Sequence, residues 1–181
     1  MIHLLRYSSG FISHKPQWVA RASSERVLYI RVTYTWRLIN VHGERMTPVF
    51  ERILASFQQQ SFMQTLGAQL TAAKEGEVSI ELPFSDALCQ QQGFLHAGVV
   101  ATLADNVCGY AALTQTPEGA DVVTAEFKIN FVRPAIGERL VAHGTVETVG
   151  KRLCVCRGEV SATSQGTRKV VALVQATVAI V

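Results

Sequence analysis

The sequence predicts an α+β domain in which one long buried helix is wrapped by a curved antiparallel sheet. Three observations point there. After Gly98 the chain runs to Leu113 with apolar residues on nearly every side, good or neutral helix formers throughout, and no proline before Pro117. That pattern predicts a core helix of about four turns. Four long segments follow, approximately Val122–Val132, Glu138–Val149, Leu153–Thr163 and Thr167–Ile180, separated by turn-forming residues at 133–137, 150–152 and 164–166. In the last segment Val170, Ala172, Val174, Ala176, Val178 and Ile180 share a face without a polar residue. Strands of this kind in meander order imply an antiparallel sheet lying on the helix. Finally, 181 residues with 48% hydrophobic and 17% charged content suffice for one domain with a sizeable core, and are apolar enough to suggest surface buried in an oligomer.

Taken in order, residues 1–45 stand apart. They hold seven Lys+Arg against two Asp+Glu, whereas residues 46–181 hold ten against twelve. The first part is therefore a basic N-terminal extension to a slightly acidic domain. Met1–Phe11 is too short for a convincing signal peptide and is broken by Arg6. Val27–Ile39 alternates as a β-strand would. The extension can be read as a targeting segment, a docking arm, or sequence upstream of a natural start. The composition break favours a start at Met46. Thr47 then caps a helix over Pro48–Gln59, with Pro48 at its first position and Val49, Ile53 and Phe57 on one face. A second short turn or helix covers Ser61–Leu66. Gly67 opens a first strand through about Ala73, and Lys74-Glu75-Gly76-Glu77 makes a hairpin turn. Val78, Ile80 and Leu82 form the buried face of the next strand, which Pro83 ends; Ser85–Gly93 is a loop.

Several function classes are disfavoured. No run of about 18 apolar residues exists, so a membrane span is not expected. Cys89, Cys108, Cys154 and Cys156 form no Cys-x-x-Cys pair and the five histidines are scattered, which argues against zinc. Cys154 and Cys156 fall on one face of a strand and read as packing residues in a reducing compartment. The basic extension lacks the clustered patch of a nucleic-acid footprint.

The chemistry centres on Asp105, a carboxylate in the middle of the apolar helix. On a helical wheel its neighbours are Ala101, Thr102, Cys108 and Gly109, with Gly98 and Ala112 a turn further out. Small residues there let a ligand or another backbone come close. A carboxylate in apolar surroundings is costly unless hydrogen-bonded or paired, although solvation of that face, or a bond to a neighbouring strand, would also account for it. His96-Ala97-Gly98 marks the helix start, where free N–H groups and the positive dipole end suit a carbonyl or oxyanion. Eight residues separate Ala97 from Asp105, about 12 Å along the axis at 1.5 Å per residue. One helix would struggle to bring both to one reacting atom, whereas a second copy packed antiparallel could supply the missing half.

Leu95-His96-Ala97-Gly98 followed by Leu103-Ala104-Asp105, and downstream the run Val123–Ala135, resemble the signature of hotdog-fold acyl-CoA thioesterases of the PaaI-like, phenylacetate-pathway group. The resemblance covers roughly Met63–Val181. It implies a hotdog fold, hydrolysis of an acyl-CoA, and a homodimer or a dimer-of-dimers tetramer in the cytoplasm, without metal or redox cofactor and without a nucleic-acid partner. It makes Asp105 the catalytic acid, as nucleophile or general base, and Ala97 N–H the donor that polarises the carbonyl. Relatives commonly carry glycine at Ala97, so the added methyl narrows the approach. Gln90 stands where Asn is common, one methylene longer. Thr124 stands where a Ser or Thr hydroxyl lies near the catalytic water, though a strand favours a β-branched residue there in any case. His96 orders the loop and Gly98 lines the substrate site. Arg133, Lys151 and Arg152 are candidates for the CoA phosphates, against the simpler reading of solvated turn charges. Two rivals remain: a hotdog enoyl-CoA hydratase or dehydratase, and a non-catalytic acyl-CoA-binding or regulatory module.

Overall fold

A computed structural model describes residues 46–181 in full and, before them, the backbone of three strands. The chain divides into two compact units that meet at residues 46 and 47. In the first, β1 (Ala20–Ser24), β2 (Val27–Val32) and β3 (Thr35–Asn40) form an antiparallel sheet in that order, with Val27 opposite Asn40 and Val32 opposite Thr35. The single strand expected over Val27–Ile39 is thus a tight hairpin. Alternation runs through both arms and conceals the turn. The reading of Met1–Phe11 lies outside the described residues.

In the second unit Thr47 caps α1 (Pro48–Phe57), its Oγ1 accepting from Phe50 N at 3.1 Å, and Ile53 and Phe57 are buried as the spacing requires. Helix α2 (Ser61–Leu66) ends on Gly67 at φ 77°. Gly67 therefore closes a helix, a left-handed position glycine fills at little cost, rather than opening the strand. Strands β4 (Gln69–Lys74) and β5 (Glu77–Pro83) form the expected hairpin, with Val78, Ile80 and Leu82 buried. The loop after β5 contains one 3-10 turn at Asp86–Leu88. Then come α3 (Ala97–Leu113), β6 (Val122–Phe131), β7 (Arg139–Val149), β8 (Leu153–Ser164) and β9 (Thr167–Ile180).

The six strands of this unit form one antiparallel sheet in the order β4-β5-β7-β8-β9-β6. Meander order holds for β7, β8 and β9 but fails for β6. That strand leaves α3 for the far edge and pairs with β9, and the chain then returns to place β7 beside β5. Periodicity gives each strand its face but says nothing of which neighbour it takes. A bulge in β9 corrects a second expectation: Val160 pairs with Ala172 and Ser161 with Val170, so Val171 is set aside and becomes the buried residue, while Val170 is half-buried.

Helix α3 lies on the sheet with Val100, Leu103, Ala104, Val107, Cys108, Ala111 and Ala112 buried. Cys108 and Ala112, read from the wheel as part of the small-residue side around Asp105, belong to the core. The contact is close because β7 and β8 oppose Gly144 and Gly158 beneath the helix. A Cβ at 144 would fall on the Val107 carbonyl, and one at 158 would lie 2.7 Å from Val174 Cγ1 and 3.1 Å from Cys108 Sγ. At Gly144 backbone rests on backbone, and at Gly158 the strand makes room for the Cys108 thiol. Among the described residues no helix is long and apolar enough to cross a membrane.

Candidate active site

The start of α3 is built by His96. Its ring Nδ1 accepts from Gly98 N at 2.9 Å, and its carbonyl accepts from Val99 N at 2.9 Å and Val100 N at 3.3 Å. Its own N–H is held by the Leu88 carbonyl at 2.9 Å. Gly98 admits this cap, because a Cβ there would meet Nδ1 at 3.0 Å. One first-turn donor is left: among the described residues, no acceptor meets Ala97 N–H. The dipole and this unpaired N–H together make an anion-favouring point.

Ala97 opens onto a cleft of about 380 Å³ shared with Gln90, Phe94, Phe131 and Arg133. The loop that carries Gln90 is tied down, with Gln90 N donating to Phe94 O at 2.8 Å, Gly93 N to Gln90 O at 2.9 Å, and a bridge between Cys89 and Leu95. Gly93 turns this loop at φ 78°. Arg133 is exposed and donates from Nη1 to Val170 O at 2.9 Å.

Asp105 opens onto a different cleft, of about 300 Å³, with Thr124, Asn106, Gly109, Tyr110 and Gln60. Thr124 Oγ1 donates to Asp105 Oδ1 at 2.7 Å. Asp105 is half-buried, and among the described residues no cation lies against it and the Thr124 hydroxyl is its hydrogen-bond partner. A bulge between Thr124 and Glu126 shifts the register of β6 against β9. Thr124 still lies opposite Val178, a helix-facing position, and so points toward α3.

The structure therefore gathers the sequence-derived candidates into two sets. Gln90 and Ala97 line the first cleft with Arg133 beside them; Asp105 and Thr124 line the second. His96 and Gly98 border a third, shallower hollow with Phe62 and Thr102. Lys151 and Arg152 join neither cleft. They are exposed in the turn between β7 and β8, where the Arg152 carbonyl accepts from Ile180 N, close to the Asp121–Val181 pair that begins β6. Arg133 follows the other end of that strand.

Residues that pattern alone did not bring to the site are Tyr110 and Gln60, whose side chains bond at 2.7 Å across fifty positions of sequence. Tyr110 reads from the wheel as core filler, and no local spacing ties it to Gln60. Cys108 and Cys156 are inert packing groups: burial, reinforced by Cys156 and Asp105, pushes Cys108 up to about 12, and burial with Cys154 nearby does the same to Cys156.

Residues 92–169 match the family model described as thioesterase superfamily. The chain is 33% identical over 124 residues to acyl-coenzyme A thioesterase 13 of Homo sapiens, covering 67% of this chain and 86% of that protein. The curated relatives it matches are spanned over 62% to 86% of their lengths. Among solved structures, a thioesterase family protein of Silicibacter pomeroyi shares 39% identity and a TM-score of 0.72 over 74% of this chain and 98% of that one. The PaaI protein of the Escherichia coli phenylacetic acid degradation operon superposes with a TM-score of 0.66 at 23% identity, over 74% and 93% of the two chains, a likeness of fold.

Proposed function

This chain belongs to the thioesterase superfamily, in its PaaI-like hotdog branch, and we propose that it hydrolyses an acyl-CoA thioester to the free acid and CoA in sites shared between two copies. The observation that carries the reading is the separation of the donor cleft, with its unpaired Ala97 N–H, from the acid cleft around Asp105. Hydrolysis needs both at one carbonyl.

Strand β6 suggests how they meet. It is the edge of the sheet, and Val123, Phe127 and Phe131 along it are 53%, 42% and 50% exposed. A long apolar edge invites pairing with another strand. Self-pairing must be isologous, hence antiparallel about a two-fold axis. The acid cleft borders the start of β6 through Val122–Thr124, and the donor cleft borders its end through Phe131. Antiparallel pairing of two β6 edges sets the start of one beside the end of the other and joins unlike clefts. A register centred on Phe127 also brings Glu126 opposite the partner's Lys128, twice over.

In the joined site the thioester oxygen accepts from Ala97 N–H of one copy, and Gln90 flanks it. Asp105 of the other copy takes a proton from water as the water oxygen bonds to the carbonyl carbon, or attacks that carbon itself, in which case water then hydrolyses the resulting acyl anhydride to release the acid and restore the carboxylate. Charge grows on the carbonyl oxygen, where a preorganised N–H is most effective. Collapse of the tetrahedral adduct breaks the C–S bond and expels CoA as thiolate. Thr124 holds the carboxylate in line. Arg133 of one copy and the partner's Lys151 and Arg152 border the same side and fit the CoA phosphates. The four free thiols suit a reducing cytoplasm.

A panel of acyl-CoAs, followed by thiol release and by acid formation, tests the reading. One acid per CoA is expected. Hydration of crotonyl-CoA without thiol release would replace it with the hydratase, and tight binding without any turnover would replace it with the binding module.

A further inference from the structure

Resting on the acyl-CoA reading, we infer that the cleft leading from Asp105 past Gly109 receives the acyl chain and selects short acyl groups that end in a neutral hydrogen-bonding group, such as a hydroxyl. Gly109 lies one turn beyond Asp105 on the same side of α3, about 6 Å along the axis, and beyond the adjoining helix backbone nothing lies within 4 Å of where its Cβ would stand. The groove is open at that point because glycine leaves it open. Its walls are the end of α1 and the start of β6, through Ser56 and Val122–Val123.

The far end is polar. Tyr110 is buried and its hydroxyl accepts from Gln60 Nε2 at 2.7 Å, with the Ser56 side chain also bonded to it; burial raises the phenol's pKa against these two bonds, so the three side chains form a neutral polar cluster. An alkyl chain that ran on into this end would strip solvent from Tyr110 and Gln60 without replacing it. Tyr110 follows Asp105 by five residues on α3, about 7.5 Å along the axis, so a short chain is enough to bring a terminal hydroxyl to this end. Asp105 and Asp121 both line the cleft, so a carboxylate at the acyl terminus would be repelled.

The matched substrates are 6-hydroxyhexanoyl-CoA and heptanoyl-CoA, which differ by hydroxyl against methyl at equal length. A site built to hydrogen-bond a hydroxyl rejects the analogue that lacks it. We expect kcat/KM to favour the hydroxylated substrate at least about tenfold, and adipoyl-CoA to be the poorest of the three. Tyr110→Phe should bring the first ratio near one. Gly109→Leu, which enters open space, should suppress heptanoyl-CoA at least tenfold relative to acetyl-CoA. A ratio unmoved by Tyr110→Phe, or a Gly109→Leu enzyme that treats short and long chains alike, overturns the inference. If the wild-type protein releases CoA from nothing, the acyl-CoA hydrolase reading fails separately. Calorimetric binding then decides the pocket: preference of Asp105→Asn for 6-hydroxyhexanoyl-CoA over heptanoyl-CoA sustains it, and equal affinity removes it.

Discussion

Thr124 donates its hydroxyl to Asp105 across nineteen positions of sequence, strand to helix, at 2.7 Å. The bond fixes one carboxylate oxygen and leaves the other to face the cleft. Asp105→Asn should therefore give a folded protein whose turnover falls at least about 100-fold, the lower range for an acid–base group. Thr124→Val should cost roughly tenfold, about 1.4 kcal/mol of barrier, and Thr124→Ser should recover most of it. Steady-state kinetics on folded variants checks both. Full activity in Asp105→Asn would take that residue out of the mechanism.

Mixing variants tests the shared site. Ala97 is the first residue of α3 and its N–H meets no acceptor among the described residues, so Ala97→Pro removes the donor at a position proline tolerates. That variant and Asp105→Ala should each be nearly inactive. Co-refolded, half the dimers are mixed, and each mixed dimer holds one intact site of two. Recovery of roughly a quarter of wild-type activity is expected if subunits exchange freely. Mixtures as dead as their parents, with mixed dimers confirmed by mass, would confine the site to one chain.

A chain beginning at Met46 should fold, assemble and hydrolyse like the full chain. The second compact unit begins at Thr47, whose side chain already caps α1, so no contact within that unit is lost by the truncation. Circular dichroism, sedimentation and kcat/KM would show it. Insoluble protein would mean that residues 1–45 complete the fold.

Alkali should unfold this domain through its core thiols. Cys108 and Cys156 rise from 9.0 to about 12 in the fold, chiefly by burial. Unfolded, both ionise near pH 9, so above that pH the unfolded chain releases protons that the folded one retains. Their contribution is intact below pH 9 and is lost as pH climbs toward 12, by up to about 1.4 kcal/mol per pH unit for each thiol. Urea midpoints at pH 8 and pH 10.5 should differ accordingly, and Cys108→Ala/Cys156→Ala should lose less over that interval.

How far the sequence carried can be seen at three places. The α3 boundaries, the β4–β5 turn and the span of β9 followed from side-chain period and turn chemistry, both local properties. The place of β6 did not, because a strand with an apolar face fits beside any neighbour that continues the sheet. Asp105, Ala97, Gln90 and Thr124 are candidates that helix position and family resemblance single out, whereas Tyr110 and Gln60 are invisible to both: their hydrogen bond joins the residue before α2 to the last turns of α3. Cys108 shows the limit of the helical wheel, which gives an angle but not the depth of the layer beneath.

The glycine pair under α3 separates two properties that mutation usually moves together. Because Gly144 lets the helix backbone at Val107 sit directly on the sheet, with Gly158 beside it making room for the Cys108 thiol, the height of Asp105 is set by main-chain contact as well as by the side chains around it. Trimming Leu103 or Leu140 would lower stability by about 2–5 kcal/mol and leave the surviving folded molecules at full rate. Gly144→Ala would do the reverse of what its size suggests, lifting the helix and displacing the acid for the sake of one methyl. In this domain, drift in the core is buffered from catalysis, and the intolerant positions are those that have no side chain at all.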